Sequence, residues 1–124
     1  MFIILDDDFS GAELLALNLV ILGHKSERIV FSSENEVKVN PELFRDKTAI
    51  VCANLLQFNP ELVEGLSNSR PGIVIDNYGC LIDTNPSQTW VQTFLDAGWI
   101  FAFRPTSRID LKFAIHKLGQ AAIH

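Results

Sequence analysis

The chain has 124 residues, of which 48% are hydrophobic and 20% charged, and its formal net charge at pH 7 is −5. It is too apolar for disorder and long enough for one domain with a sizeable core. A negative chain is not suited to unaided nucleic-acid binding, and no apolar run approaches the roughly 20 residues that span a bilayer. The start lacks the basic segment of a signal peptide, and Cys52 and Cys80 form no metal-ligand spacing. We therefore expect a cytoplasmic protein with no membrane or direct nucleic-acid contact.

Five short apolar runs predict five strands, at residues 2–5, 29–31, 48–53, 72–75 and 100–103. Three of them, the first, third and fourth, are continuous rather than alternating in polarity. Continuous apolar strands are typical of a parallel sheet that helices cover on both faces. Cys52 falls inside the third run, where a small buried thiol is expected.

The segments between the strands carry helix signals. Ser10 and Glu13 have the S-x-x-E spacing of a capping box, and Gly23 is a suitable residue to end that helix. An Asn precedes a Pro at positions 40–41, 59–60 and 85–86, which predicts three helix starts with an Asn cap. A last helix is expected from near Ser107, because Leu111, Ala114, Ile115 and Leu118 would share one face.

Strands and helices thus alternate along the whole chain, without a linker. Residues 1–124 are predicted to form a single α/β domain, a three-layer doubly wound (βα)5 sandwich with parallel sheet order 2-1-3-4-5. The functional crevice of such a sheet lies beyond the carboxyl ends of its strands, where the strand order reverses. The residues expected there are Asp6, Asp7 and Asp8 after the first strand, Ala53 and Asn54 after the third, Asp76 after the fourth, and Arg104 and Pro105 after the fifth.

These residues carry a family resemblance that covers nearly the whole chain. The first strand ends in an acid pair, Asp6 and Asp7, and the segment "FLDAG" precedes the fifth strand and Arg104-Pro105. In this the chain resembles a response-regulator receiver domain, the aspartate phospho-acceptor of two-component signalling. The resemblance implies a flavodoxin-like, receiver-like fold. It also implies that Asp6 and Asp7 correspond to the two acidic residues that bind the metal ion in receivers.

Three positions depart from the receiver pattern. The phospho-acceptor Asp should close the third strand, but the chain offers Asn54, or Ala53 if the register shifts by one residue. Asp76 occupies the position of the switch hydroxyl, and Arg104 replaces the site lysine. The resemblance therefore implies an atypical receiver, or pseudo-receiver, with a degenerate phosphorylation site. Without the third carboxylate, Mg²⁺ binding by Asp6 and Asp7 is expected to be weakened, and no other cofactor is expected. Arg104 could instead pair with Asp76 and Asp7.

Other interpretations stay open at this stage. Asp6–Asp8 could be a solvated turn whose charge favours the following helix start, with Asp8 the clearest case. Asp7 or Asp76 could still accept a phosphoryl group. Asp6 and Asp8 also form an Asp-x-Asp pair similar to the nucleophile loop of haloacid-dehalogenase phosphatases, although the chain has little room for their other parts. We expect that the chain is not an enzyme.

In receivers, the surface formed by the fourth helix, the fifth strand and the fifth helix often dimerises or binds the output partner. The resemblance implies a protein partner or a homodimer through this surface. Its candidate residues are Trp90, Phe94, Trp99, Arg108 and Leu111. Phe101, Phe103 and Phe113 are expected in the core. Whether an output domain follows residue 124 is left open.

Overall fold

The computed structural model describes residues 1–30, 46–56, 59–77, 89–104 and 107–121. Within these ranges, five parallel strands form one sheet in the order β2-β1-β3-β4-β5. The strands are β1 (Phe2–Asp6), β2 (Ser26–Val30), β3 (Thr48–Cys52), β4 (Ile73–Asn77) and β5 (Ile100–Arg104). The predicted fold class and strand order are confirmed.

Helices cover both faces of the sheet. They are α1 (Phe9–Ile21), α2 (Ala53–Leu56), α3 (Pro60–Ser67), α4 (Thr89–Asp96) and α5 (Arg108–Ala121). The core is split by the sheet, because successive strand residues point to opposite faces. Ile3 and Leu5 pack with α2, α3 and α4, whereas Phe2 and Ile4 pack with α1 and α5.

The ends of α1 match part of the prediction. Gly23 ends the helix with φ +90°, and it donates its N–H to Val20 while His24 donates to Leu19. This pair of bonds is a Schellman motif, which needs a residue that tolerates positive φ. The predicted capping box at the start is wrong, because the cap is Asp8 and Ser10 lies inside the first turn, where its N–H donates to Asp8 Oδ1.

Two other predicted caps can be compared with the structure. Asn59 and Pro60 do start α3, but the Asn59 amide donates back to the Leu55 carbonyl instead of capping the helix. The helix starts predicted at residues 40–41 and 85–86 lie outside the described residues. Ser107 caps α5 by accepting the N–H of Asp110. Strand β2 begins three residues before the apolar run, because it is an edge strand that tolerates polar side chains.

Gly72 makes the closest backbone approach in the described core. A Cβ at this position would lie 2.2 Å from the Ala49 carbonyl oxygen and 2.7 Å from the Trp99 ring. Trp99 in turn packs edge-on against Phe94, with ring centroids 4.7 Å apart. The sheet therefore needs glycine at the entrance to β4.

The expectation that three phenylalanines lie in the core is partly wrong. Phe101 packs against the core, but Phe103 and Phe113 are 47% and 62% exposed. Phe113 faces away from Leu111 and Leu118, which form the buried face of α5. Among the described residues, no helix combines the length and apolar character that crossing a membrane requires.

Candidate functional site

The carboxyl end of β1 places three acids in three different environments. Asp6 closes the strand with no exposed surface, and its Oδ1 accepts the N–H of Asp8 at 3.1 Å. Asp7 is exposed. Asp8 is exposed as well, and its carboxylate accepts the N–H of Ser10 at 3.2 Å, as a helix cap does. The interpretation of Asp8 as charge at the helix entry is confirmed.

The carboxyl end of β3 brings no carboxylate to this place. The strand ends at Cys52, and α2 begins at the next residue, so Asn54 lies in the first turn of that short helix. The Cys52 thiol donates to Asp7 Oδ1 at 3.5 Å, and the Asn54 amide donates to Asp7 Oδ2 at 3.2 Å. Asp7 is thus held by two neutral donors, one at the end of β3 and one in the first turn of α2.

These contacts decide the acidity of Asp7. Partial burial raises the pKa of the Asp7 carboxyl, but hydrogen bonds from Asn54, Asp6, Cys52 and its own backbone outweigh that effect. The net pKa lies below the ordinary value of 3.8, so the carboxylate is ionised at neutral pH. Folding is stabilised by this shift above the ordinary pKa, and the contribution is lost as the pH falls through the lowered value.

Cys52 is the residue at the site that sequence reasoning missed. It was expected to be a buried core thiol, and it is indeed 2% exposed. Its contact with Asp7 follows from the register of β1 and β3, which places Cys52 beside the end of β1. The available signal was its position beside the acid pair of the adjacent strand, since Leu5 and Val51 are paired in the sheet.

The remaining predicted site residues lie on β4 and β5. Asp76 is in β4 and is fully buried, while Asn77 and Arg104 are paired at the ends of their strands. The strand positions therefore agree with the prediction that Asp76 and Arg104 lie at the carboxyl ends of neighbouring strands. The Arg104 side chain and Pro105 lie outside the described part of the structure, so the pairing of Arg104 with Asp76 and Asp7 stays a prediction.

Asp6, Asp7 and Cys52 each offer a ligand atom, and these atoms lie within 4.8 Å of one another. Mg²⁺ prefers six oxygen ligands in octahedral geometry, usually from carboxylates, carbonyls and water. Here the third protein donor is a thiol, which suits softer metals, and Asn54 points its NH₂ group rather than its oxygen at Asp7. The donor set thus does not fit Mg²⁺ well.

The candidate interface residues are mostly unavailable for contact. Four of the five are buried: Trp90 at 7%, Phe94 at 0%, Trp99 at 2% and Leu111 at 0% exposure. Arg108 is exposed, and its Nε lies 3.5 Å from the Asn18 Oδ1 of α1. The prediction for the four apolar residues is wrong, because Trp90, Phe94 and Leu111 lie on the core faces of their helices and Trp99 packs against Phe94 just before β5.

Comparison with known proteins places this geometry in context. A solved structure described as a response regulator receiver protein from Burkholderia phymatum is similar in fold, with a TM-score of 0.63 over 95% of this chain and 94% of that chain. The two sequences are 19% identical. No protein-family model matches the chain, and no curated protein matches it.

Proposed function

We propose that the chain is an atypical receiver-like signalling domain that works through protein–protein contacts and not through aspartyl phosphorylation. The observation that carries this proposal is the end of β3, where Cys52 and Asn54 stand beside Asp7 and both donate hydrogen bonds to it. A receiver-like site needs a carboxylate there to accept the phosphoryl group. The fold similarity to a receiver protein is consistent with the proposal.

The two acids considered as substitute acceptors are poorly suited to that role. Asp76 has no exposed surface, so a phosphodonor would have to open the sheet edge to reach it. Asp7 is exposed but its oxygens accept hydrogen bonds from the Cys52 thiol and the Asn54 amide. Attack on phosphorus would require the loss of these bonds. The burial of Asp76 and the hydrogen bonds of Asp7 therefore favour a structural role for both acids.

Intact-mass measurement after incubation with acetyl phosphate and Mg²⁺ tests the first half of the proposal. We expect no mass increase of one phosphate on the wild-type chain. Asp7→Asn and Asp76→Asn serve as matched controls that identify the acceptor if an adduct forms. An adduct that disappears in either variant would show a functioning phosphorylation site and contradict the proposal.

The second half concerns the surface of α4, β5 and α5. Apolar side chains are exposed on all three elements: Leu95 at 48%, Phe103 at 47%, Ile109 at 67% and Phe113 at 62%. Exposed basic side chains outnumber acidic ones on α5, with Arg108, Lys112 and Lys117 against Asp110. Apolar groups next to basic ones suit a protein partner that presents apolar and acidic groups.

A pull-down with the whole chain as bait tests this surface. We expect a retained partner to be lost with Phe113→Asp, because this change places a charge within the apolar contact. Leu14→Asp on α1 is the matched control, since Leu14 is 57% exposed and lies on another helix. A partner that Leu14→Asp releases and Phe113→Asp retains would contradict the proposed surface.

A further inference from the structure

Helix α1 has an apolar face on its solvent side as well as on its core side. Its inner face is buried through Ala12, Leu15, Asn18 and Leu19. Its outer face carries five apolar side chains, those of Phe9, Leu14, Leu17, Val20 and Ile21, which are exposed by 66%, 57%, 55%, 64% and 50%. Ser10 and Glu13 lie among them on the same face. A surface helix normally turns polar side chains toward water, and one that is apolar all round is normally covered.

The side chains of the α1 outer face are neighbours on the helix surface. Leu14, Leu17 and Ile21 follow the i, i+3, i+7 spacing of a packing seam, and Val20 lies one turn beyond Leu17. Together the five side chains expose on the order of 500 Å², which is as large as the largest apolar patch of a typical monomer, about 300–600 Å². Patches of this size are often functional, so this face is a candidate interaction surface.

Charge indicates what kind of partner fits this face. Helix α1 contains no basic residue, and Glu13, its one acid, is ion-paired with Arg28 of β2. A strongly charged partner would find no counter-charge here, even though the chain as a whole carries a net charge of −5. A second copy of α1 would instead bring one apolar face against another, and the Glu13 of each copy would stay compensated by its own Arg28.

We propose that the α1 outer face is the contact between two copies of this chain, related by a two-fold axis that passes near Leu17. A two-fold contact uses the same patch on both copies, so it covers about 1,000 Å² of apolar surface before the polar rim is added. With a rim, the total reaches the range of stable interfaces, about 1,200–2,000 Å². This contact is separate from the surface of α4, β5 and α5.

Sedimentation velocity over a dilution series of the whole chain tests the dimer. The wild type is expected to sediment as a dimer that dissociates on dilution. Leu17→Glu should raise the dissociation constant by about 30-fold or more, as expected for a central residue of an interface. Circular dichroism should show unchanged folding, because Leu17 is exposed and has no core contact to lose.

Phe113→Glu on α5 is the matched control, since Phe113 is 62% exposed and lies outside the α1 outer face. It should leave the dimer intact. A wild type that stays monomeric throughout, or a dimer that resists Leu17→Glu and yields to Phe113→Glu, would overturn the proposal. A monomeric result would not affect the proposed function, which is read from the phosphate mass and from partner release.

Mixing two variants provides a second test that does not depend on loss alone. Leu17→Glu and Leu17→Lys should each be monomeric, but an equimolar mixture should recover the dimer mass, because opposite charges then face each other near the axis. A mixture that stays monomeric would show that Leu17 does not face its own copy. That result would overturn the two-fold arrangement.

Discussion

Strands β1 and β3 are neighbours that share a scaffold and differ at their ends. Both are apolar and almost entirely buried, and they pair in register from Phe2 with Thr48 to Leu5 with Val51. Strand β1 ends in Asp6 and is followed by Asp7 and Asp8, whereas β3 ends in Cys52 and is followed by Ala53 and Asn54. The β1 end therefore carries carboxylates, and the β3 end carries neutral hydrogen-bond donors.

The comparison indicates that the fold of such a sheet and the chemistry at its edge depend on different residues. The paired apolar segments determine strand position and sheet order. The residues just beyond them only determine what meets at the edge, so they can change without loss of the sheet. Asp7 is an example: the residues at and just beyond the end of β3 supply it with hydrogen bonds from a thiol and an amide.

The prediction with the largest expected effect tests whether β1 and β3 contribute equally to the stability of the sheet. Ile4→Ala and Ile50→Ala each remove a fully buried side chain from the same core cluster, and the two residues are paired in the sheet. Each change should lower the free energy of unfolding by about 2–5 kcal/mol. Urea denaturation measures this. A cost below about 1 kcal/mol for one strand alone would show that the strands are not equivalent.

The next effect tests the neutral character of the β3 end. Cys52→Asp would bury a further carboxylate beside Asp6 and Asp7, and should cost about 3 kcal/mol at neutral pH. Burial raises the pKa of the introduced carboxyl in the folded state above its value in the unfolded state. The loss of free energy of unfolding is therefore fully present at neutral pH and disappears as the pH falls below the ordinary Asp range. Chemical denaturation at several pH values measures it.

Cys52→Ala is the control for Cys52→Asp, since it removes the thiol without adding charge. Its cost should be nearly independent of pH in the acid range. If both variants were equally destabilised at every pH, the loss would come from packing and the neutrality of this strand end would have no electrostatic role.

A smaller effect is expected two residues further along the chain, at Asn54. Asn54→Asp replaces the donor to Asp7 by a second carboxylate and should cost about 1 kcal/mol, because the pair is exposed and screened by solvent. The new oxygen ligands should also let Mg²⁺ raise the thermal midpoint of the variant more than that of the wild type. Asn54→Ala, which loses the amide without adding charge, should show no such Mg²⁺ effect; an equal response of all three proteins would contradict the prediction.

The smallest effect concerns Asp7 itself. Because its pKa is lowered in the folded state, stability from this group is present above the ordinary value of 3.8 and is lost as the pH falls through the lowered value. Asp7→Asn should flatten this acid decline by less than about 1 kcal/mol, since the side chain is exposed. Asp8→Asn keeps a helix cap and serves as the control in the same acid titration. A decline that Asp7→Asn leaves unchanged would assign it to other groups.

The sheet was predictable because continuous apolar runs specify buried strands directly. The strand order followed from the alternation of strands and helices and from the right-handed crossovers between parallel strands. Gly23 was correctly identified as the end of α1 because few residues adopt positive φ. The contact between Cys52 and Asp7 was not predictable in the same way. It depends on the register in which β3 pairs with β1, because a shift of one residue would change which side chain meets the acid.

Side-chain orientation on the helices was also beyond the sequence pattern. Helix α1 has apolar side chains on its outer face as well as on its core face, so the pattern alone does not distinguish the two faces. On α4 and α5, the apolar residues proposed for an interface, Trp90, Phe94 and Leu111, fill the core. Phe113, which was expected in the core, lies on the surface of α5 instead.

The aromatic packing around Trp99 has an optical consequence. The chain contains two tryptophans, Trp90 and Trp99, and both contact Phe94 on the same side of the sheet. Intrinsic fluorescence therefore reports on the region of α4 and β5. A partner that binds this region would change the emission, while pairing of two copies through α1, on the opposite layer of the sheet, would leave it unchanged. The protein carries a built-in reporter that distinguishes its two proposed contacts.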